Sequence, residues 1–182
     1  MTTDDELRRM TIGKPRRHDA PITLAEYDPA WPLLYAREAE RIRTALGDRV
    51  VLLEHTGSTS VPGLAAKPII DMTLAVPDST AEGDYIPPLE AAGYVLRIRE
   101  PDWYEHRMLR GADPEVNLHV FSTGCEEIGR MLRFRDRLRS SPEDRALYLA
   151  RKRELATRTW RYTQNYADAK SAVVAEILAR AG

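Results

Sequence analysis

The segment from His55 to Val76, HTGSTSVPGLAAKPIIDMTLAV, constrains the fold more than any other part of the chain. It begins with small and hydroxylated residues and ends in an apolar run that a single acid, Asp71, interrupts. Because an unpaired buried carboxylate is costly, we expect Asp71 to line a wet cleft. Alternate residues of a β-strand point to opposite faces, so the run predicts a strand whose other face is wholly apolar, formed by Ile70, Met72, Leu74 and Val76.

The small-residue loop before this strand has the composition of a phosphate-binding loop. It follows a short apolar run at 50–53, which predicts an earlier strand, and Pro62 is acceptable in a first helical turn. Backbone N–H groups at a helix start, aided by hydroxyl donors, bind phosphate. A tight turn without any ligand is the alternative. The predicted phosphate-binding residues of this segment are Gly57, Ser58, Thr59, Ser60 and Lys67.

Apolar spacing predicts helices at both ends of the chain and strands in its middle. One helix is expected from Asp28 to Gly47, and helical patterns recur at 126–141, 143–158 and 165–181. This order favours an α/β or α+β fold with a mixed sheet. Residues 1–20 have mixed charge and little apolar periodicity, which predicts a flexible N-terminal arm before a single domain at 21–182.

Composition excludes several classes of protein. The chain has 182 residues, a formal net charge of −1 and one cysteine, Cys125. A near-neutral charge makes nucleic acid an unlikely partner, and a lone cysteine fits a reducing compartment. The polar start is unlike a signal peptide, and no apolar stretch approaches the roughly 20 residues that span a bilayer. We therefore expect a cytoplasmic protein with no membrane contact.

Several motifs resemble those of the GrpB family, within the nucleotidyltransferase superfamily. They are EYDPAWP at 26–32, HTGSTSVPGLAAKPIID at 55–71, HRMLRG, NLHVF, FRDRLR and YADAKS, and together they cover about 22–181. The resemblance implies a nucleotidyltransferase-like mixed sheet flanked by helices, with a C-terminal helical segment. In that superfamily, the strand after the Gly-Ser loop carries two acids at alternate positions, which bind Mg²⁺ or Mn²⁺. A third acid on a later strand helps to activate the attacking hydroxyl.

This chain matches that pattern in part. Asp71 corresponds to the first acid, Thr73 stands at the position of the second, and His119 stands where the third is expected. Glu54, at the end of the first predicted strand, is expected to supply the missing carboxylate. The predicted catalytic and metal-binding residues are thus Asp71, Glu54 and His119. Alternatively, His55, His106 and His119 serve as hydrogen-bonded structural residues, or they join Asp71 in a transition-metal site.

Basic residues supply further anion-binding candidates. Lys170 and Lys152 fall on helix faces that should be apolar, so they either extend their ammonium groups to solvent or meet a triphosphate in a cleft. Arg107 and Arg110, in HRMLRG, are further candidates for binding an anion. Arg135 and Asp136 are expected to form an ion pair that positions a helix.

Three functions remain open from the sequence. The first is metal-dependent transfer of a nucleoside monophosphate from a nucleoside triphosphate to an unknown small-molecule or protein acceptor, with release of pyrophosphate. The second is a non-catalytic domain that binds a nucleotide or phosphorylated metabolite, since some GrpB relatives are fused to a coenzyme A biosynthetic kinase and this chain has no Walker motif of its own. The third is a transition-metal hydrolase. Oligomeric state is open.

Overall fold

The computed structural model describes residues 1–181, and residue 182, the last of the predicted domain, lies outside the described part. Seven α-helices and five β-strands are present in the described part. The helices are α1 (Asp4–Met10), α2 (Trp31–Leu46), α3 (Glu82–Ala91), α4 (Glu126–Ser140), α5 (Pro142–Ala156), α6 (Thr163–Ala169) and α7 (Ser171–Ala179). The strands are β1 (Leu52–Thr56), β2 (Ile70–Val76), β3 (Val95–Glu100), β4 (His106–Ala112) and β5 (Glu115–Ser122).

The strands form one mixed sheet in the order β1-β2-β5-β4-β3. Strands β2 and β5 are parallel, and the other neighbouring pairs are antiparallel. Strand β2 therefore lies between the edge strand β1 and the central strand β5. The expectation of a mixed sheet flanked by helices, followed by a C-terminal helical segment, is confirmed.

The two faces of the sheet differ in character. On one face, α2 and α3 cover a large apolar core that contains Met72 and Leu74 of β2, both fully buried. Each large apolar side chain buried in this way contributes roughly 1.5–3 kcal/mol. On the other face, α4 covers β2 from Thr73 onward and the Phe121 end of β5: Ile128 packs with Ala75 and Phe121, and Met131 lies against Thr73. The Asp71 end of that second face is left for polar side chains.

The C-terminal helices pack beside the Asp71 end of the sheet. Leu138 of α4, Tyr148 of α5 and Ile177 of α7 share a buried cluster with Val61 and Leu64, which follow the Gly-Ser loop. The single helix predicted at 165–181 is divided into α6 and α7 at Lys170, whose N–H donates to the carbonyl of Ala167. This three-residue spacing tightens the turn there and separates the two helices.

The N-terminal segment differs from the flexible arm that we predicted. Helix α1 begins with a reciprocal capping box between Thr3 and Glu6, and Leu7 is buried. Thr11, the residue after the end of α1, forms a β-bridge to Ile98 of β3. The pattern Thr-x-x-Glu was a readable helix-start signal in the sequence. No helix within residues 1–181 is both long enough and apolar enough to cross a membrane.

Candidate functional site

Asp71 sits opposite the glycine of the small-residue loop. Asn117, its partner in register on β5, donates a hydrogen bond from Nδ2 to Asp71 Oδ1 at 2.9 Å. Gly57 has φ +66°, and a Cβ at that position would lie 2.7 Å from Asp71 Cβ and closer still to Oδ2. Backbone conformation and space both require glycine at this position. The loop is therefore built around the Asp71 carboxylate.

Lysines supply most of the charge around this carboxylate. Burial raises the pKa of Asp71, and the Asn117 hydrogen bond and the charges of Lys170, Lys67 and Lys152 act in the opposite direction. The lysines come from three parts of the chain: the segment before β2, the junction of α6 and α7, and α5. Their convergence on one acid makes the pocket a positively charged one.

Lys152 is buried together with its ammonium group. Its side chain is among the fully buried ones, and Nζ donates to the carbonyl of Ala65 at 2.6 Å. Burial, aided by the charge of Lys170, lowers the pKa of Lys152 to about 7. The interpretation in which this lysine extends its charge into solvent is wrong, because the ammonium lies inside the protein. Burial also lowers the pKa of Lys67.

Two tyrosines form an aromatic wall beside these lysines. Lys170 Nζ lies 4.6 Å from the centroid of the Tyr166 ring, and Lys152 Nζ lies 5.4 Å from that of Tyr148. Such cation–π contacts attract an ammonium group to the ring face. The hydroxyl of Tyr166 is the one buried side-chain polar atom within residues 1–181 that has no hydrogen-bond partner. The sequence analysis overlooked Tyr148, Tyr166 and Asn117 as site residues.

The Gly-Ser loop is a single 3-10 turn at Ser58–Ser60, where the sequence had suggested the start of a longer helix. Two of its hydroxyl groups already donate hydrogen bonds to backbone carbonyls of the segment between β1 and β2. Thr59 Oγ1 donates to the carbonyl of Ile69, and Ser60 Oγ donates to the carbonyl of Gly57. The expected helix N-terminus is thus absent from this loop, and the lysines carry the positive charge that a phosphate would meet.

The predicted metal-ligand set does not come together. Glu54 is bound by Arg135, whose Nη1 donates to Oε2 at 2.6 Å. Thr73, at the second acid position, is fully buried, with its Oγ1 2.9 Å from Thr56 Oγ1 and 3.5 Å from the sulfur of Met131. Nowhere in residues 1–181 do three or more His, Cys, Asp or Glu side chains converge in a way that could hold a metal ion. Asp71 is the one carboxylate that the predicted set brings to the pocket.

His119 lies on the same sheet face as Asp71, opposite Thr73 in register, and belongs to a relay of side chains. Glu100 Oε2 lies 2.7 Å from His106 Nδ1, and His106 Nε2 lies 3.0 Å from His119 Nδ1. Burial, aided by the neighbouring His106, lowers the pKa of His119 to about 3. His119 is therefore neutral at physiological pH.

His55 points to the opposite face and has a structural role. Its ring stacks on Tyr35 with 4.7 Å between centroids, and its Nε2 is 3.1 Å from Thr59 Oγ1. Burial, together with the charges of Arg139 and Arg135, lowers the pKa of His55 to about 4. The transition-metal site that would combine His55 with His119 and Asp71 is not formed.

The two arginines of HRMLRG also separate. Arg107 is buried and bound by Glu82 and Glu105, on the face away from Asp71, so its predicted contact with the phosphate pocket is wrong. Arg110 pairs in register with Asn117 and is held by Glu115 at 3.1 Å. Arg110 thus lies on the same row as Asp71, one strand beyond Asn117.

The pair of Arg135 and Asp136 forms as expected, with Arg135 Nε donating to Asp136 Oδ1 at 2.8 Å. Arg135 also donates to the carbonyl of His55 and so joins α4 to the end of β1. Because Arg135 and Asp136 both lie on α4, the bonds of Arg135 to Glu54 and to the His55 carbonyl are the ones that hold the helix against β1.

Comparison with known proteins shows the family of the chain. A family model described as GrpB protein matches residues 21–180. The chain belongs to the GrpB family. A UPF0157 protein from Halalkalibacterium halodurans is 59% identical over 179 residues, which are 98% of this chain and 92% of the relative. The crystal structure of GrpB from Enterococcus faecalis has a TM-score of 0.73 and 32% identity, over 87% of this chain and 96% of that one.

A longer relative matches this chain over part of its own length. A dephospho-CoA kinase from Mycolicibacterium paratuberculosis is 34% identical over 165 residues, which are 76% of this chain and 40% of the kinase. The family relationship therefore extends to a protein in which the matched segment is a minor part.

Proposed function

We propose that this GrpB protein binds the polyphosphate of a nucleoside triphosphate in the pocket between Asp71 and the three lysines. The observation that carries this proposal is the convergence of Lys67, Lys152 and Lys170 on a carboxylate that faces Gly57. Ammonium groups stabilise phosphate oxygens, and a partly dehydrated pocket strengthens that attraction. The resemblance to nucleotidyltransferases supports the reaction that we propose: the acceptor oxygen bonds to the α-phosphorus, and the bond to pyrophosphate breaks.

The donors present fit one Mg²⁺ better than two. Mg²⁺ is commonly held by one or two carboxylates together with substrate phosphates, and Asp71 with the Asn117 amide supplies such a minimal set. When bound, the ion would neutralise charge on the phosphates. A dedicated two-metal site needs more carboxylates than this pocket offers.

His119 is suited to orient the hydroxyl of the acceptor. The Glu100 carboxylate accepts from His106 Nδ1–H, and in the tautomer that we propose His106 Nε2 accepts from His119 Nδ1–H. This leaves the His119 Nε2 lone pair without a partner in residues 1–181. His119 as a residue is partly exposed, so a small ligand can approach its ring. A bare Nε2 on the Asp71 face accepts a hydrogen bond from a hydroxyl group.

A non-catalytic binding domain is the second candidate, and Thr73 favours it. Its hydroxyl is fully buried beneath Met131, so the second superfamily acid has been replaced by a residue that closes the pocket floor. The kinase relative, in which the GrpB-like segment is a minor part, is consistent with an accessory role. Both candidates use the same phosphate pocket.

Calorimetry with the four ribonucleoside triphosphates, with and without Mg²⁺, tests the proposal. Lys170→Ala and Asp71→Asn should weaken binding at least tenfold. Lys14→Ala, which removes an exposed lysine of the N-terminal segment, should leave binding unchanged. Binding with pyrophosphate release on addition of an acceptor supports transfer, and binding without release under any acceptor supports the accessory role. Failure of all four nucleotides to bind the wild type would refute the transferase, and it would leave the accessory role only with a phosphorylated metabolite as ligand.

A further inference from the structure

A second positively charged cleft lies at the outer edge of β1. The Gly-Ser turn lies between this cleft and Asp71. The cleft has a volume of about 400 Å³ and is open to solvent. Three arginines reach it from the helices above: Arg135 and Arg139 of α4 and Arg145 of α5. None of these residues contacts Asp71 or the three lysines, so the cleft is separate from the pocket described above.

Arg135 is paired with Glu54 and Asp136, and Asp136 Oδ1 also lies 3.6 Å from Arg139 Nη1. Arg139 and Arg145 are anchored mainly by carbonyl oxygens, so the charge of the three arginines is only partly neutralised. Arg139 donates Nε and Nη2 to the carbonyl of Ser60, at 3.0 and 2.9 Å. Arg145 donates Nη1 to the carbonyls of Leu138 and Arg139, and within residues 1–181 it has no carboxylate partner. Burial, together with the charge of Arg135, lowers the pKa of Arg139, as expected where like charges crowd together.

Free donors remain on these guanidinium groups. Among the described residues, Arg145 Nε and Nη2 and Arg135 Nη2 make no hydrogen bond. A guanidinium group presents its N–H donors in a planar fork that matches the oxygens of phosphate or carboxylate. Glu54, the acid on the cleft wall, is already paired with Arg135. An added anion would therefore meet unpaired donors and an excess of positive charge.

The opposite wall of the cleft is aromatic. Tyr35 is stacked on His55 with ring planes 8° apart, and Tyr27 stands edge-on to Trp31. Tyr35 and Tyr27 are half-buried, so part of each ring faces the cleft. A cleft with an aromatic wall on one side and guanidinium groups on the other suits a ligand with a flat apolar body and an anionic end.

We infer that this cleft is a binding site for a small molecule that carries a phosphate or carboxylate group on an aromatic or other flat body. The anionic group contacts Arg139 and Arg145, and the flat body packs against Tyr35. The inference is independent of the nucleotide pocket, because the two sites share no side chain.

Calorimetry on the full chain with phenyl phosphate, inorganic phosphate and benzoate tests the inference. Phenyl phosphate should bind at least tenfold more tightly than inorganic phosphate, because only the former has a ring to bury. Benzoate shows which anionic group the arginines prefer. Arg145→Ala and, separately, Arg139→Ala should each weaken phenyl phosphate binding about tenfold, with Arg145→Lys intermediate because it keeps the charge but loses the fork.

Two controls make the result decisive. Lys170→Ala removes a lysine from the other pocket and should leave phenyl phosphate binding unchanged, and each arginine variant should keep the wild-type melting transition within a few degrees. Unaltered binding in both arginine variants would overturn the inference. So would loss of binding in Lys170→Ala alone, which would assign the anion to the Asp71 pocket, or absence of binding by all three probes at millimolar concentration.

Discussion

Replacing Gly57 by alanine tests the link between the loop and the carboxylate. An alanine Cβ would lie 2.7 Å from Asp71 Cβ and 2.9 Å from Cγ, distances that side chains do not tolerate. Gly57 also has φ +66°, where a residue with a Cβ is strained by about 1–2 kcal/mol. Asp71 would have to move away, and losing the hydrogen bond from Asn117 adds roughly 1–3 kcal/mol.

We therefore expect Gly57→Ala to lower the free energy of unfolding by roughly 2–5 kcal/mol, from strain plus the lost hydrogen bond. In a chain of this size, that corresponds to a melting temperature lower by roughly 5–20 °C. Differential scanning calorimetry measures both quantities. Nucleotide affinity should fall in the same variant, because the carboxylate no longer sits at the pocket floor.

Gly63→Ala is the matched control. Gly63 also has a positive φ, +76°, but a Cβ there would meet nothing within 4 Å, so only the backbone strain of about 1–2 kcal/mol applies. Adding Asp71→Ala to Gly57→Ala should recover part of the loss, because Oδ2 and Cγ are removed while Cβ stays. If Gly57→Ala destabilises the protein no more than Gly63→Ala, the close approach to Asp71 has no energetic weight and the reasoning fails.

Three further changes probe the pocket itself. Asn117→Asp places a second carboxylate beside Asp71, and the two like charges should lower the melting temperature in EDTA. Millimolar Mg²⁺ should restore the melting temperature. The absence of a Mg²⁺-dependent shift would contradict a cation site there. Tyr166→Phe removes a buried hydroxyl that has no partner and should raise the free energy of unfolding by about 1 kcal/mol in urea titration, whereas a loss would show that the hydroxyl is satisfied. Burial lowers the pKa of Lys152 to about 7, so the unfolded chain binds more protons between that pH and the ordinary lysine pKa, and stability rises with pH across this window. Lys152→Met should therefore raise the free energy of unfolding most below pH 7, by up to the order of 4 kcal/mol. The lost hydrogen bond to the Ala65 carbonyl reduces this gain. The gain should disappear towards pH 10. Urea unfolding at both ends of that range measures it, and a pH-independent difference would refute the buried-charge account.

Local patterns in the sequence were enough to predict the sheet and the polar position of Asp71. The apolar face of β2 and the helix that begins near Trp31 follow from spacing alone, because each depends on residues a few positions apart. Strand alternation also held more information than we drew from it. Arg107 and Arg110 are three residues apart and so point to opposite faces, and Asn117 shares the face of His119.

Other features depend on contacts between distant parts of the chain. The pairing of Glu54 with Arg135 requires α4 to cross the end of β1, and nothing in either segment signals the other. Thr59 and Ser60 have the residue types of a phosphate loop, but their hydroxyls bond to the loop's own carbonyls, which composition does not reveal. The arginine-lined cleft also depends on distant contacts, because its walls come from α2, β1, the Gly-Ser turn, α4 and α5.

The origin of the lysines explains why the C-terminal helices matter to the pocket. A site built for two metal ions gathers carboxylates on the sheet, but this sheet supplies Asp71 alone, and Thr73 closes the second position. Positive charge comes instead from Lys152 on α5 and Lys170 at the junction of α6 and α7. A ligand of this pocket must bring several negative charges, and those charges would raise the pKa of Lys152 from about 7, so that binding near neutral pH takes up a proton. The helical segment thus supplies two of the three lysines of the proposed binding site, and without it Lys67 would be the one lysine of the three left near Asp71.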